Sequence, residues 1–339
     1  MGGVSRRVLA RFGEQRVLSK EAMSAALDLA GLRPSVEEGW TFALVTIRVA
    51  GVLSLAAGMV FLVAFNWREL GLYGRFAIVE LPLLAALVVA WMQGVAQLTG
   101  RLALLLAVIL AGVLLALFGQ TYQTGANLYE LFLGWAALTL PWVIACRWAP
   151  CWGLWLLLVN VALMLIAQAA GRGDFLSGII WNRERGSAWA LGLLVDSALY
   201  TALAVFAKRP GLGLGAQWLQ RGVAAAAMVF GTAMMLHRIT SSSHGDAVTA
   251  LETLLFLATS AGFAAYAYLQ KSDLFNFAAL ALSLILVTTV GLAKMLIEGR
   301  AGLEALFILG CWVILASTGS VVGISNLAKQ WREKEGAAA

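Results

Sequence analysis

The residues best suited to chemistry in this chain are acids that interrupt long apolar runs. Glu80, Asp196, Glu252 and Glu304 each lie within such a run or near its start. An ionisable side chain inside a membrane span is costly, and it usually faces the interior of a helix bundle or water. Acids in this setting could hold a proton, a cation or a polar ligand.

An amide-rich stretch, residues 118–130, separates two of the apolar runs. It reads Phe-Gly-Gln-Thr-Tyr-Gln-Thr-Gly-Ala-Asn-Leu-Tyr-Glu and contains neither Lys nor Arg. Its many donors and acceptors with little charge suit a sugar or peptide-like ligand, or a re-entrant turn that plugs the bundle. The alternative is an ordinary polar loop whose amides satisfy nearby helix ends. Asn66 ends an earlier apolar run on the same side and could join this cluster.

These features define a candidate ligand-binding set but no catalytic or metal-binding set. The candidate ligand-binding residues are Glu80, Gln120, Tyr122, Gln123, Asn127, Asn66 and Asp196. The sequence contains no Ser-His-Asp arrangement, no P-loop and no metal-type spacing of its three cysteines and two histidines. We interpret the cysteines as small hydrophobic residues. The sequence therefore predicts no cofactor and favours a protein without enzymatic activity.

The embedded acids admit two interpretations. A carboxylate in the first turns of a helix offsets the positive end of the helix dipole, which suits Glu130, Glu304 and Glu252. Glu80 and Asp196 lie deeper, and a polar cavity that is open to the outside is the competing interpretation. Asp196 has no cation in its own span, so it should be protonated or paired with a group on another helix. Its candidate partners are Arg75, His237, Arg238 and Lys294.

The overall composition places the chain in lipid rather than in water. Of its 339 residues, 61% are hydrophobic and only 12% are charged, whereas soluble domains contain about 25% charged residues. The net charge of +6 could suggest a nucleic-acid partner. However, the basic residues form short clusters between apolar runs, a pattern typical of membrane topology. The sequence thus predicts a lipid bilayer as the partner and excludes nucleic acid.

The apolar runs predict an all-α polytopic membrane bundle with a small amphipathic helical segment at residues 1–45. Crossing the hydrocarbon core takes about 20 residues. The bundle occupies residues 46–326, and residues 327–339 form a C-terminal tail. The ten predicted spans are 46–66, 75–93, 102–118, 131–146, 151–170, 188–207, 222–237, 248–269, 274–293 and 302–325.

The distribution of Lys and Arg predicts the orientation of these spans. Basic residues are about twice as frequent in the segments that lie inside if the N-terminus is cytoplasmic. Ten spans then place both termini in the cytoplasm. In this topology Glu80, Asp196, Glu252, Glu304 and the amide-rich stretch all lie towards the outer side of the membrane.

Four short stretches give the chain a family resemblance. They are Phe65-Asn-Trp-Arg68, Phe76-Ala-Ile-Val-Glu80, residues 118–127, and Ala30-Gly-Leu-Arg-Pro34 followed by Trp40. Together they resemble the pattern of a bacterial multi-pass membrane family, Domain of Unknown Function 2157, over roughly residues 5–165. The resemblance implies a location in the bacterial inner membrane. It implies no particular activity and no catalytic residue.

The sequence favours a transporter-like or ligand-binding membrane protein with a polar site open to the periplasm. A small polar ligand or a cation would be the partner of that site. The alternative is a non-enzymatic scaffold or assembly partner in a membrane complex of the cell envelope, which would bind another membrane protein. A membrane enzyme ranks third, because no nucleophile or metal set is present.

Overall fold

The computed structural model describes residues 19–29, 36–169, 185–207, 212–241, 246–270, 273–299, 302 and 304–337. These residues form eleven α-helices and no strand. Ten of the helices are long and apolar enough to cross a membrane. The predicted all-α polytopic bundle with ten spans is therefore confirmed.

The helices follow one another through short links. Ser19 caps the first helix, because its Oγ accepts a hydrogen bond from the Ala22 N–H at 3.1 Å. Residues 1–18 of the predicted amphipathic segment lie outside the described residues. In chain order the helices are α1 Lys20–Leu29, α2 Val36–Phe65, α3 Leu72–Gln93, α4 Leu98–Tyr122, α5 Leu128–Cys146, α6 Ala149–Ala169, α7 Arg185–Phe206, α8 Gln217–Thr240, α9 Asp246–Gln270, α10 Leu274–Glu298 and α11 Glu304–Ala337.

Several helices extend beyond the apolar runs from which they were predicted. α2 begins at Val36 rather than at 46, and α11 continues through residue 337 as one helix. α8, whose predicted run at 222–237 is one of the two shortest, extends from Gln217 to Thr240. Hydropathy marks only the part of a helix that lies in hydrocarbon, whereas polar turns can continue the helix on either side.

The first half of the bundle, α2–α6, packs around α4, which contacts the four other helices. The buried positions of α4 include Leu104, Val108 and Leu110, and none of its buried residues is polar. Gly112 lets the Trp135 ring approach so closely that a Cβ there would lie 2.2 Å from a ring atom. The Trp135 Nε1–H donates to the Val108 carbonyl at 2.7 Å. Close apolar packing therefore holds this half together.

The second half repeats this arrangement around α8, which contacts α6, α7, α9 and α10. Leu193, Leu219 and Met234 are fully buried in its core. α6 belongs to both halves, because it also packs on α4 and α5. α11 packs mainly along α10 and also meets α9 where the Tyr268 and Trp331 rings lie 6.3 Å apart, and most of its surface is exposed.

Two cysteines meet at the link between α5 and α6. Cys146 ends α5, Arg147 adopts a left-handed φ of 50°, and Cys151 lies in the first turn of α6. Both thiols are free and buried, with their Sγ atoms 2.8 Å apart. They pack among apolar and tryptophan side chains. The sequence interpretation as small hydrophobic residues did not anticipate this contact.

Candidate functional site

The amide-rich stretch is shorter as a loop than predicted. α4 continues to Tyr122 and α5 begins at Leu128, so only residues 123–127 link the helices. The prediction of a loop over 118–130 is corrected. The stretch is polar, which made it look like a loop, but its two ends are helical and belong to α4 and α5. Gln123 and Gly125 have left-handed φ values of 47° and 67° and turn the chain.

Several residues of the candidate set serve the ends of helices. The backbone N–H of Gln123 donates to the Gly119 carbonyl at the end of α4. Asn127 precedes α5, and its Nδ2 donates to Glu130 Oε1 at 3.2 Å. Asn66 Nδ2 donates to the Leu62 carbonyl at 2.8 Å. The Asn66 contact follows the alternative interpretation, in which side-chain amides satisfy helix ends, whereas Asn127 makes no side-chain cap bond to α5. The Gln120 side chain is exposed at this end of α4.

Glu80 and Tyr122 are the two members of the candidate set that line one groove. The groove has a volume of about 620 Å³ and lies on the surface between α3 and α4. Glu80 is exposed there, in the middle part of α3. Gln123 and Asn127 are not among the residues that line it.

Asp196 lies in the other half of the bundle and has the opposite surroundings. It is near the middle of α7 and fully buried. Its Oδ1 accepts a hydrogen bond from Asn160 Nδ2, in the middle of α6, at 3.2 Å. Its Oδ2 and the Asn160 Oδ1 are buried, and neither has a hydrogen-bond partner among the residues that the structure describes. The structure thus places an acid and an amide at mid-depth with two unsatisfied acceptor oxygens.

Three of the four predicted cationic partners of Asp196 are engaged elsewhere, and the prediction is corrected for these three. Arg238 pairs with the buried Glu252, with Nη2 to Oε1 at 3.2 Å. Lys294 lies 3.6 Å from Glu298 on its own helix. Arg75 donates to the backbone carbonyls of Trp67 and Leu70. Arg238 and Lys294 lie towards the end of the bundle, whereas Asp196 lies at mid-depth, so a neutral amide takes the partner role.

Further polar contacts join the helices of the second half. Each contact joins two of the four helices α7, α8, α9 and α10, and the contacts occur at several depths of the bundle. The contacts are Gln220 Nε2 to Tyr266 OH at 3.2 Å, Arg221 Nε to Asp273 Oδ1 at 3.2 Å, Asn276 Nδ2 to Tyr200 OH at 2.8 Å, and Thr232 Oγ1 to Ser283 Oγ at 2.6 Å. We call these residues, together with Asp196, Asn160, Arg238 and Glu252, the polar core.

A cavity of about 580 Å³ lies next to the polar core, between α7 and α9. Tyr200 and Tyr266 line it together with the hydroxyl side chains of Ser197, Thr201 and Thr259. Among the described residues, no group of three or more His, Cys, Asp or Glu side chains could hold a metal ion. The polar core therefore offers hydroxyl, amide and carboxyl groups on neighbouring helices.

The sequence analysis missed most of the polar core, although α8 contained a signal for it. Gln220 and Arg238 are about five helical turns apart, so they lie on one face of α8, and both contact α9. Arg221 and Thr232 are about three turns apart and both contact α10. Polar residues at multiples of the helical repeat along an apolar span indicate an interior face.

The fold and its ten long apolar helices define a class of protein, the polytopic α-helical membrane proteins. The family described as "Predicted membrane protein (DUF2157)" has a model that matches residues 10–152. The predicted resemblance is confirmed over this part of the chain, which includes α1–α5. Comparisons with curated proteins and with solved structures find no match. Asp196 and the rest of the polar core lie beyond the matched residues.

Proposed function

We propose that this protein is a membrane transporter in which Asp196 binds and releases a proton. The observation that supports the proposal is the buried Asp196–Asn160 contact at mid-depth, with one unsatisfied oxygen on each side chain. An ionised carboxyl is an acceptor only, and within the described part of the chain Asn160 Nδ2 is the one donor to it. When Asp196 is protonated, its carboxyl gains an O–H donor next to Asp196 Oδ2 and Asn160 Oδ1, the two oxygens that lack a hydrogen-bond partner.

A proton fits this site better than a metal cation does. Sodium-like and calcium-like ions need several oxygen ligands, about six to eight in the case of calcium. Asp196 and Asn160 supply few oxygens, and no group of three or more His, Cys, Asp or Glu in the described part of the chain could hold a metal ion. A proton needs only one acceptor and a route to it.

The polar core gives such a route physical support. Along α8, Arg221 and Arg238 are about 25 Å apart at 1.5 Å per residue. That distance covers most of a hydrocarbon core about 30 Å thick. Hydroxyl, amide and carboxyl groups lie between them, including Thr232, Ser283 and Tyr200. We propose that solute movement is coupled to this route from the periplasm. The family resemblance supports placement in the bacterial inner membrane, and the distribution of Lys and Arg supports an orientation with both termini in the cytoplasm.

The test is a comparison of the full chain with its Asp196→Asn variant in two measurements. In sealed vesicles that contain a pH-sensitive dye, a potassium diffusion potential should drive proton entry through the wild type. Asp196→Asn should reduce that entry to the rate of protein-free vesicles. In infrared difference spectra, the wild type should show a protonated-carboxyl band that titrates and that Asp196→Asn lacks.

Glu304→Gln serves as the control, because this acid is exposed at the start of α11, away from the polar core. It should leave both the proton entry and the infrared band unchanged. If Asp196→Asn retains the band and conducts protons as the wild type does, the proposal is wrong.

A second candidate function, assembly with another membrane protein, is favoured by α11. This helix packs mainly on α10 and also meets α9 through the Tyr268 and Trp331 rings, whose centroids are 6.3 Å apart. A Cβ added at Gly310, Gly319 or Gly323 would have nothing within 4 Å. Exposed small residues allow a second helix to approach closely. Replacing Gly319 and Gly323 with Leu should then abolish co-purification of a partner, which size analysis in mild detergent would detect.

A further inference from the structure

The groove that contains Glu80 combines four aromatic rings with one carboxylate. Tyr73, Phe76, Phe118 and Tyr122 line it together with Glu80. The Phe118 and Tyr122 ring centroids are 4.7 Å apart, and those of Phe76 and Tyr122 are 6.3 Å apart. Tyr73 and Tyr122 are 88% and 55% exposed, so their rings are available to a ligand.

The Glu80 carboxylate makes no hydrogen bond or ion pair with the described residues. The nearest cation on its own helix is Arg75, whose guanidinium lies 3.9 Å from the centre of the Trp67 ring and donates to two backbone carbonyls. Glu80 is about 12 Å from the start of α3, at 1.5 Å per residue. A charge at this depth faces hydrocarbon unless something covers it.

We propose that this groove binds an organic cation with an apolar body, such as an ammonium or a phosphonium. The Glu80 carboxylate would face the positive charge, and their attraction is strengthened by the low dielectric of the surroundings. The ring faces attract the same charge, because the aromatic quadrupole presents its negative side. Leu81 and Leu84, which are exposed in the groove, contact the apolar body.

The same surroundings disfavour other ligands. An anion would be repelled by Glu80 and by the ring faces. A metal ion would find a single carboxylate and two phenol groups, too few ligands for a hard cation. The ammonium headgroup of a lipid has the same chemistry as a soluble amine, so these two sources are separated by experiment. The proposal does not depend on the function proposed for Asp196, which lies in the other half of the bundle.

Binding is tested on the purified full chain in detergent micelles, with tetraphenylphosphonium as the probe and a selective electrode as the detector. Tetraphenylborate is the matched control ion, because it has the same shape and the opposite charge. The wild type should bind the phosphonium at one site and show no site for the borate. Glu80→Gln should weaken phosphonium binding by about tenfold or more, and Phe118→Leu by a few-fold, at about 1.4 kcal/mol per factor of ten.

Two variants separate binding from folding. Glu80→Asp keeps the charge and should retain most of the affinity. Glu69→Gln removes an exposed carboxylate from the 66–71 link, outside the groove, and should bind as the wild type does. All variants should keep the elution volume and unfolding temperature of the wild type. The proposal is overturned if the wild type binds no phosphonium, if the borate binds equally well, or if Glu80→Gln leaves the affinity unchanged.

A competition experiment decides whether the bound cation is a lipid headgroup or a soluble amine. Short-chain phosphatidylethanolamine is added to the micelles, with short-chain phosphatidylglycerol as the control lipid without an amine. Displacement of the probe by the first lipid alone supports a headgroup ammonium as the occupant. Retention of the probe with both lipids supports a soluble organic cation. Equal displacement by both lipids shows that the site does not recognise the ammonium and overturns the proposal.

Discussion

The two halves of the bundle differ in what fills their interiors. Among the described residues of α2–α5, the one buried polar side chain is Thr139, whose hydroxyl donates to the Trp135 carbonyl of its own helix. In the described part of α7–α10 the buried polar side chains belong to six residues, and most of them contact another helix. They are Asp196, Thr232, Glu252, Ser260, Asn276 and Ser283.

This difference indicates that the polar groups of the second half are not needed for a helix bundle to form. The first half packs four helices around α4 with apolar side chains and close glycine contacts. Burying polar and ionisable groups in a span is costly, and each contributes little to association. We infer that the second half contains them because of function. The first half, which holds most of the family match, would then be the scaffold that presents the surface groove.

The largest expected effect tests the second half. Glu252→Ala removes the carboxylate that faces the Arg238 guanidinium, and both side chains are almost fully buried. Removing one partner of a buried ion pair costs about 3–5 kcal/mol. Reversible unfolding in mixed micelles should show a free energy of unfolding that is lower than that of the wild type by this amount.

The matched control for Glu252→Ala is the double variant Arg238→Met with Glu252→Leu. It replaces both charges by apolar side chains and should lie within about 1 kcal/mol of the wild type. If Glu252→Ala is as stable as this double variant, the second half tolerates a lone buried charge and the contrast between the halves is lost.

A smaller effect tests the first half. Gly112→Ala places a Cβ against the Trp135 ring, where the nearest ring atom would be 2.2 Å away. Overpacking of this kind costs about 1–3 kcal/mol. Gly134→Ala is the control on α5, because nothing lies within 4 Å of its Cβ, and its effect should stay within about 0.5 kcal/mol. Equal stabilities of the two variants in the same unfolding assay would show that close packing around α4 contributes nothing.

The fold could be predicted from the sequence because lipid makes a simple demand. A span must be apolar for about 20 residues and must satisfy its backbone within a helix. The long apolar runs therefore gave the number of spans. Their ends were less well predicted, as in α2 and α11, because helices continue into water without any apolar signal.

The candidate site could be predicted only in part. Glu80 and Asp196 look alike in the sequence, since each is one acid within an apolar run. Their helices are apolar on nearly every face, so no amphipathic pattern shows which side is packed. Glu80 is exposed in a surface groove, whereas Asp196 is fully buried against Asn160. Only tertiary contacts decide between these two surroundings.

The smallest expected effect compares one hydroxyl in each half. Thr232 donates to the Met228 carbonyl of its own helix at 2.6 Å and accepts from Ser283 on α10. Ser283→Ala removes the contact between helices and should cost about 0.6 kcal/mol, the average for such bonds in membrane bundles. Thr139→Val removes a bond within one helix. Helices separated in the membrane keep their internal bonds, so this loss affects both states equally and the expected cost is about zero in the same unfolding assay.

A double-mutant cycle measures the coupling between the two hydroxyls of Thr232 and Ser283. Ser283→Ala, Thr232→Val and the variant with both changes are unfolded in the same micelles, and their free energies of unfolding give the coupling energy. A coupling energy of zero would mean that the hydroxyl pair adds nothing to the association of α8 with α10.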